Sequence, residues 1–261
     1  MANSTLDYFT YIPVHGAPEA AAVVFAALAV ILVIQTMNTM AARWVYILVG
    51  TAIAESIGYI FRAICIDHAS LGLFICMNLF LLLPPNALAL FNYKAIGEVV
   101  RKSGIRSHRF WLRPRFIVWF YFASDIFSFL LQSTGASMTA QEDTADTGKW
   151  ICIAGLAIQL VFLTSFSGII VAVMRNPLYT VDKSPRDEDS GSAKRRVMLV
   201  MVATTALLYV RSIYRLIEFI DGYGGKIYSA EWAFWVFDTV AILAMFVVYI
   251  LFVIVAYFPR Y

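Results

Sequence analysis

Ionisable side chains recur at helical spacing within strongly apolar stretches of this chain. Glu55, Tyr59 and Arg62 stand at positions i, i+4 and i+7, a spacing that places all three on one face of a helix. A second stretch repeats this combination with acid and base in reversed order, at Arg211, Tyr214, Arg215 and Glu218. Groups of this kind can bind a charged ligand, pair with one another or transfer protons.

Polar side chains also interrupt the other apolar stretches. They are Asp125, Ser128 and Gln132 at i, i+3 and i+7, Gln159 in the next stretch, and Glu231 and Asp238 one heptad apart. A further stretch carries Asn78 and Asn86 around a Pro84-Pro85 step. Because proline has no backbone N–H, this step is expected to kink a helix and to leave backbone carbonyls without helical partners.

The composition identifies the elements that must position these residues. The chain has 261 residues, of which 61% are hydrophobic and 14% charged, and its mean hydropathy is +0.75. Soluble domains are roughly 45–50% apolar and about 25% charged, so a water-soluble enzyme is excluded. About 20 helical residues cross a bilayer core, and seven apolar runs have this length: about 18–37, 44–63, 71–93, 116–137, 150–174, 197–220 and 231–257. We predict an all-α, seven-transmembrane-helix bundle that forms a single membrane domain over residues 1–261.

The basic residues predict the orientation of that bundle. Fifteen of the 20 Lys and Arg residues fall on one side, in the first, third and fifth connections and the tail, while only Lys149 and Lys226 fall on the other. The positive-inside rule then places the N-terminus outside and the C-terminus in the cytosol. We expect a multi-pass protein of the plasma membrane or the endoplasmic reticulum.

An ionisable side chain in hydrocarbon costs about 2.5–3.5 kcal/mol on insertion scales, so it persists where it pairs, lines a cavity or does chemistry. In one interpretation, the polar positions line an inward-facing cavity that opens outward. In the other, they hold the helices together through hydrogen bonds worth about 0.6 kcal/mol each. Parallel helices place Glu55 at the depth of Arg211, and Arg62 at the depth of Glu218, which allows cross-helix ion pairs.

Other ligand classes leave no signature in the sequence. Three cysteines without a CxxC spacing and three scattered histidines give no metal site, and we expect no cofactor. No G-x-x-x-x-G-K-[ST] motif indicates an ATP site, and nothing indicates a nucleic-acid partner. The expected partners are the lipid bilayer and an amphipathic lipid or prenylated small molecule.

Several motifs together resemble the fungal RTA-like, or lipid-translocating exporter, family. They are Glu55-Ser-Ile-Gly58-Tyr59-Ile-Phe-Arg62, Asp125-Ile-Phe-Ser128-Phe-Leu-Leu-Gln132, Gly155-Leu-Ala-Ile-Gln159 and Arg211-Ser-Ile-Tyr214-Arg215-Leu-Ile-Glu218, followed by Gly222, Glu231 and Asp238. The resemblance implies a seven-helix fungal membrane protein that exports or translocates sphingoid bases, phospholipids or toxic amphiphiles. The chain departs from the family pattern at Leu83-Pro84-Pro85-Asn86, so the substrate wall is expected to differ there.

Two functional hypotheses follow. The first is a transporter or translocase, whose arginines hold an anionic head group or whose carboxylates hold an ammonium, with proton coupling or downhill movement in place of ATP. Its binding residues would be Glu55, Tyr59, Arg62, Asp125, Gln132, Gln159, Arg211, Tyr214, Arg215, Glu218, Glu231 and Asp238.

The second hypothesis is an integral-membrane cyclase or isomerase of fungal secondary metabolism that acts on a prenylated, terpenoid intermediate. A carboxylic acid in an apolar cavity can stay protonated at neutral pH and can donate its proton to an epoxide or alkene. The candidate catalytic acids are Asp125, Glu218 and Asp238. Tyr59, Phe127 and Phe234 would stabilise a carbocation through their ring faces.

Overall fold

The computed structural model describes residues 13–68, 70–103, 113–139, 144–179, 190–222, 225, 227, 230–252 and 254–258. Seven of its helices are long and apolar enough to cross a membrane, and the described residues contain no strand, which confirms the predicted fold class. The helices are α1 (Ala17–Asn38), α2 (Tyr46–Asp67), α3 (Leu71–Lys102), α4 (Pro114–Thr139), α5 (Ala145–Arg175), α6 (Ser190–Asp221) and α7 (Glu231–Leu251).

Several helices extend beyond the apolar runs that predicted them. α3 was expected over 71–93 but continues to Lys102, α5 begins before residue 150, and α6 begins at Ser190 rather than near 197. Hydropathy marks the part of a helix that suits hydrocarbon, whereas Arg and Lys are good helix formers that let the helix continue into water.

The end of the last predicted run differs in another way. The run was expected to stay helical to 257, but α7 ends at Leu251 and a 3₁₀ turn follows over Ile254–Tyr257. After that turn the Phe258 carbonyl accepts a hydrogen bond from the Ala42 N–H at 2.8 Å. The chain is therefore held against the connection between α1 and α2.

Helices that are adjacent in sequence pack against each other throughout the bundle, and α1 also contacts α7. α7 further packs on α6, and α3 also contacts α6. A buried hydrogen-bonded node joins three of these helices, because Asn92 of α3 bonds to Thr204 of α6 and accepts from the Tyr249 hydroxyl of α7 at 2.8 Å. The node is buried inside the bundle, whereas the outer faces of the helices carry exposed apolar side chains.

α4 and α5 approach closely because glycines face each other across their contact. A Cβ atom on Gly148 would lie 2.6 Å from the carbonyl oxygen of Gly135, and a Cβ atom on Gly155 would lie 3.0 Å from the carbonyl oxygen of Ser128. Small residues let helix backbones approach in membranes, where van der Waals packing drives association. This pair is consequently packed backbone against backbone.

Candidate functional site

Seven ionisable side chains from three helices gather towards the end of the bundle where α2 and α6 end and α7 begins. We call this set the charged cluster: Glu55 and Arg62 of α2, Arg211, Arg215 and Glu218 of α6, and Glu231 and Asp238 of α7. All are buried except Glu231, which is half-buried. The structure thus brings together the charged positions that the sequence singled out on three separate helices.

Asp238 is the centre of the charged cluster. Its Oδ1 lies 2.7 Å from Arg211 Nε, and Arg215 donates from Nε and Nη2 to Oδ1 and Oδ2 at 3.3 and 3.2 Å. Two guanidinium groups therefore share one buried carboxylate. Such arrangements depend on every partner, because removing one leaves an uncompensated buried charge.

The proline step of α3 supplies another partner for this centre. α3 stays helical through Pro84 and Pro85, and Pro85 cannot donate the N–H that would bond to the Leu81 carbonyl four residues earlier. Arg211 donates from Nη2 to that Leu81 oxygen at 3.2 Å. The expected carbonyl without a helical partner is therefore present, and it holds the arginine.

A π turn positions Asp238 within α7. The helix is α-helical over Glu231–Phe234, forms a π turn over Trp235–Thr239 and returns to α-helix at Val240. A π turn holds one residue more than an α turn, so it rotates the side chains on its two sides relative to each other. Both Asp238 and Thr239 are buried within it. The sequence contained no signal for this feature.

Glu218 is held by its own helix. Arg215 Nη1 donates to Glu218 Oε2 at 3.0 Å, and the Tyr214 hydroxyl donates to Oε1 at 3.3 Å. Equal depth allowed an ion pair between Glu218 and Arg62, but Arg62 lies 3.6 Å from Glu231 of α7 instead.

Glu231 occupies the outer rim of the charged cluster. Arg62 Nη2 lies 3.6 Å from Glu231 Oε1, and Trp235 Nε1 donates to the same oxygen at 3.2 Å. The Val14 N–H donates to Oε2 at 3.0 Å, so the segment before α1 reaches across to the start of α7. This rim pairing joins α2 to α7.

Aromatic rings fill the space between the charges. The Phe234 ring lies under Arg62, with 4.3 Å from Cζ to the ring centroid, and 5.6 Å from Arg215 Cζ. Tyr59 stacks on Trp235 at 5.8 Å and donates its hydroxyl proton to Thr239 at 2.6 Å. Nothing in the sequence places Trp235 in the cluster, because the stacking depends on which helices are neighbours.

Glu55 differs from the other carboxylates. Its side chain has no exposed surface, and neither carboxyl oxygen has a hydrogen-bond partner among the described residues. The ion pair with Arg211 that equal depth allowed is absent from this described part of the chain, since Arg211 contacts Asp238 and Leu81 instead. Arg211 and Arg215 still act on Glu55 through their electrostatic fields.

The polar positions of α4 and α5 form a separate hydrogen-bonded chain. Gln132 Nε2 donates to Gln159 Oε1 at 2.9 Å, Gln159 Nε2 donates to Asn86 Oδ1 at 2.9 Å, and Asn86 donates to the Leu82 carbonyl. The Asn86 bond again uses a carbonyl near the proline step of α3. These amides join α3, α4 and α5 in the manner expected of groups that hold helices together.

Asp125 belongs to neither set. It is buried in α4 beside the Tyr93 side chain, and its Oδ2 has no hydrogen-bond partner within the described residues. A general acid must present an oxygen to its substrate. The hydrogen-bond partners of the carboxyl oxygens therefore distinguish the three candidate catalytic acids. Both oxygens of Asp238 and of Glu218 are engaged by arginine or tyrosine donors, so Asp125 is the candidate acid whose oxygen Oδ2 has no such donor among the described residues. Phe127 points to the exterior.

An apolar groove of about 530 Å³ opens between α6 and α7 beside the charged cluster. Its walls include Val210, Ile213, Tyr214, Ile217, Trp232 and Phe237. Tyr214 lines this groove and donates to Glu218 of the cluster, while its ring stacks on Phe237 at 5.6 Å. One side chain therefore joins an open apolar surface to a buried set of charges.

Comparison with known proteins gives a consistent set of relatives. The family model described as RTA1 like protein matches residues 47–261. Protoporphyrin uptake protein 1 of Saccharomyces cerevisiae is 30% identical over 201 residues, which cover 76% of this chain and 64% of the relative. Protein RTM1 of Saccharomyces cerevisiae is 30% identical over 199 residues, 76% of this chain and 63% of the relative.

A more distant relative comes from Emericella nidulans. The probable lipid transporter atnI is 25% identical over 222 residues, which cover 79% of this chain and 56% of the relative. The chain spans less than two thirds of the length of these relatives. No solved structure matches it.

Proposed function

Because the chain belongs to the RTA1-like family of membrane proteins, we propose that it transports amphipathic, lipid-like molecules within a single seven-helix membrane domain. The names of two relatives support this proposal, since one is a protoporphyrin uptake protein and another a probable lipid transporter. Both names refer to molecules with a large apolar part. The N-terminus lies outside in this proposal, as the basic residues predict.

The observation that carries the proposal is the position of Tyr214. Its ring lines the apolar groove between α6 and α7, and its hydroxyl bonds to Glu218 of the charged cluster. An amphiphile has the matching shape, because its chain can stay in the groove while its head group reaches the charges. Lipid tails are as apolar as the groove, so the chain gains little by moving from the bilayer into it, and the head group must supply the selectivity.

The head group would bind at the rim of the charged cluster. The side chains of Arg215, Glu218 and Glu231 are 11%, 11% and 12% exposed, and those of the cluster's other arginines and of Asp238 are 4% exposed or less, so the first three are nearest to an entering ligand. An ammonium would compete with Arg215 for Glu218, whereas a phosphate or carboxylate would compete with Glu218 for Arg215. Either exchange substitutes one ion pair for another and avoids leaving a buried charge without a partner.

A vesicle assay tests this proposal. Purified protein in liposomes would be given a fluorescent sphingoid base or a fluorescent phospholipid, and translocation followed by accessibility to a membrane-impermeant quencher. Ile213→Trp fills the groove. Ile53→Trp is the matched control, because it makes the same change on the exposed face of α2 and both isoleucines are 47% exposed. A Trp side chain at this position would overpack the groove against a bound chain, which costs about 2 kcal/mol, so translocation should fall roughly 30-fold in Ile213→Trp alone.

Two results would contradict the proposal. Wild-type protein that leaves both probes on their original side would argue against transport of such molecules. Equal rates for Ile213→Trp and wild type would show that the substrate does not use the groove. Mass spectrometry of the recovered probes would reveal an altered product if the chain were an enzyme.

A further inference from the structure

The charged cluster holds more acids than bases. It contains four carboxyl groups, those of Glu55, Glu218, Glu231 and Asp238, and three guanidinium groups. Arginine keeps its charge in proteins. If every carboxyl group were ionised, the cluster would therefore carry one excess negative charge away from water.

The contacts show which carboxyl group is in excess. Glu231 has Arg62, Glu218 has Arg215, and Asp238 has both Arg211 and Arg215 as partners. Each of these acids is matched by an arginine at 3.6 Å or less. Glu55 is the acid without a hydrogen bond or ion pair in the described part of the cluster, and none of its surface is exposed.

The groups around Glu55 lie on three helices. Asp238 of α7 repels a negative charge at this position, whereas Arg211 and Arg215 of α6 attract one. Tyr59 and Arg62 stand on the same helix, one and nearly two turns further along. Both arginines of α6 are already bound to Asp238, and Arg215 is also bound to Glu218, so two carboxylates compensate their two positive charges.

We propose that Glu55 is the proton-binding site of the transporter: it holds a proton in this conformation and releases that proton when Arg211 turns from Asp238 towards it. Protonation makes the charged cluster electrically neutral without any further ligand. A proton is also the cation that needs no space, which suits a side chain with no exposed surface. The effect of proton release on transport rests on the proposed transport function. The protonation of Glu55 does not depend on that function.

Arg211 connects the proton to the rest of the site. It lies 2.7 Å from Asp238, donates to the Leu81 carbonyl and acts electrostatically on Glu55. A ligand's charge at the rim can displace Arg215 or Glu218. This displacement changes how strongly Arg215 binds Asp238, and therefore how strongly Arg211 binds the same carboxylate. Binding at the rim and proton release at Glu55 are then coupled through one carboxylate.

Infrared spectroscopy of the protein in lipid nanodiscs tests the protonation. A protonated carboxyl group has a C=O stretching band that the carboxylate lacks and that shifts in heavy water. We expect this band at neutral pH in wild type and in Glu19→Gln, a matched change at an exposed acid in the first turn of α1. We expect it to be weaker by one carboxyl group in Glu55→Gln.

Two outcomes would overturn the protonation. An identical band in wild type and Glu55→Gln would show that Glu55 is ionised. A Glu55→Gln protein that does not fold would show the same, because glutamine has the shape and charge of the protonated acid and should fit this site. We expect its unfolding temperature to equal that of wild type or exceed it.

Vesicles with a pH gradient test the coupling. For a one-for-one exchange, a difference of one pH unit should produce up to about a tenfold accumulation of the fluorescent amphiphile by wild type. Glu55→Gln should lose this response to the gradient, whereas the matched Glu19→Gln should accumulate the probe as wild type does. Wild-type movement that ignores the gradient would overturn the coupling, whereas no movement at all would refute the transport function and leave the infrared result standing.

Discussion

At the scale of single residues, Asp238 is the described side chain on which the charged cluster depends most. It is the shared partner of Arg211 and Arg215, and the π turn of α7 aims it between them. Phe234 and the Leu81 carbonyl contribute weaker contacts to the same guanidinium groups. The two arginines can stay buried only while this carboxylate remains.

Replacing Asp238 with asparagine should therefore destabilise the fold strongly. The change keeps the shape of the side chain but leaves two buried guanidinium groups with Glu218 as their remaining close carboxylate, which should cost about 3–5 kcal/mol. Thermal unfolding of the detergent-solubilised protein, followed by circular dichroism, measures the loss. Asp67→Asn is the control, because that carboxylate is 64% exposed and should matter little. Equal unfolding temperatures for Asp238→Asn and wild type would contradict a tightly paired centre.

The sequence identified these residues but not their partners. Helical spacing correctly predicted that Glu55, Arg62, Arg211 and Arg215 face inward, because an ionisable group on the lipid side is costly. Equal depth allowed ion pairs of Arg62 with Glu218 and of Glu55 with Arg211, and the described residues form neither. Depth fixes the height of a residue along the bundle, but the partner also depends on which helix is the neighbour, and α7 supplies both Glu231 and Asp238.

At the scale of helices, the contact between α4 and α5 should tolerate no side chain at its centre. A Cβ atom on Gly148 would meet backbone atoms of α4, including the Gly135 oxygen at 2.6 Å, and backbone cannot rotate away. We expect Gly148→Ala to destabilise the protein by about 2 kcal/mol, because overpacking forces the helices apart.

Gly168 provides the control on the same helix. Nothing lies within 4 Å of a Cβ atom placed there, and alanine favours helix by about 1 kcal/mol over glycine. Gly168→Ala should leave the unfolding temperature unchanged or raise it slightly. If both alanine variants behaved alike, the close packing of α4 on α5 would be disproved.

The π turn of α7 can be tested by deletion. Removing Val236, whose side chain is 47% exposed, takes the surplus residue out of the turn and should rotate Glu231 away from its present position relative to Asp238. The helix cannot then keep both the Arg62 pair and the Arg215 pair, so the unfolding temperature should fall nearly as far as in Asp238→Asn. Val236→Ala keeps the turn and should have a small effect. Equal stability of the deletion and Val236→Ala would show that the turn does not set the pairing.

The helices themselves were largely predictable from the sequence. Apolar length locates a membrane-crossing helix well, because about 20 residues are needed to span the hydrocarbon. It could not locate the charged ends of α3 and α6, or the π turn, since those depend on helix propensity outside the bilayer and on packing within it. The proline step was predictable in part. The missing N–H of proline predicted a carbonyl without a helical partner, but only the folded structure shows that Arg211 binds it.

At the scale of the whole molecule, the orientation in the membrane remains a prediction that labelling can test. Val14 precedes α1 and Met40 follows it, and both side chains are well exposed. A membrane-impermeant maleimide should label Val14→Cys, and not Met40→Cys, in cells that carry the protein at the plasma membrane, or in sealed vesicles of known sidedness. The unmodified chain gives the background from its own three cysteines. Labelling of Met40→Cys alone would reverse the orientation.

The fold class and the family were both accessible from sequence, and for related reasons. Seven apolar runs define the bundle, while the motifs of α2, α4, α5 and α6 define the resemblance that the match over residues 47–261 confirms. The substrate was not accessible, because a bilayer-facing groove is built from ordinary apolar residues such as Ile213 and Ile217. These residues look the same in a sequence whether they face a ligand or lipid.

The glycine contact between α4 and α5 also bears on how such a chain can diverge. At Gly135 and Gly148 every substitution adds atoms to a space already occupied by backbone, so selection should hold these positions fixed whatever the substrate becomes. Gly168 has open space around it and should drift freely. Across diverging homologues, the two helices are then inherited as a single unchanging unit, and new substrate preferences should accumulate outside this unit, along α6 and α7.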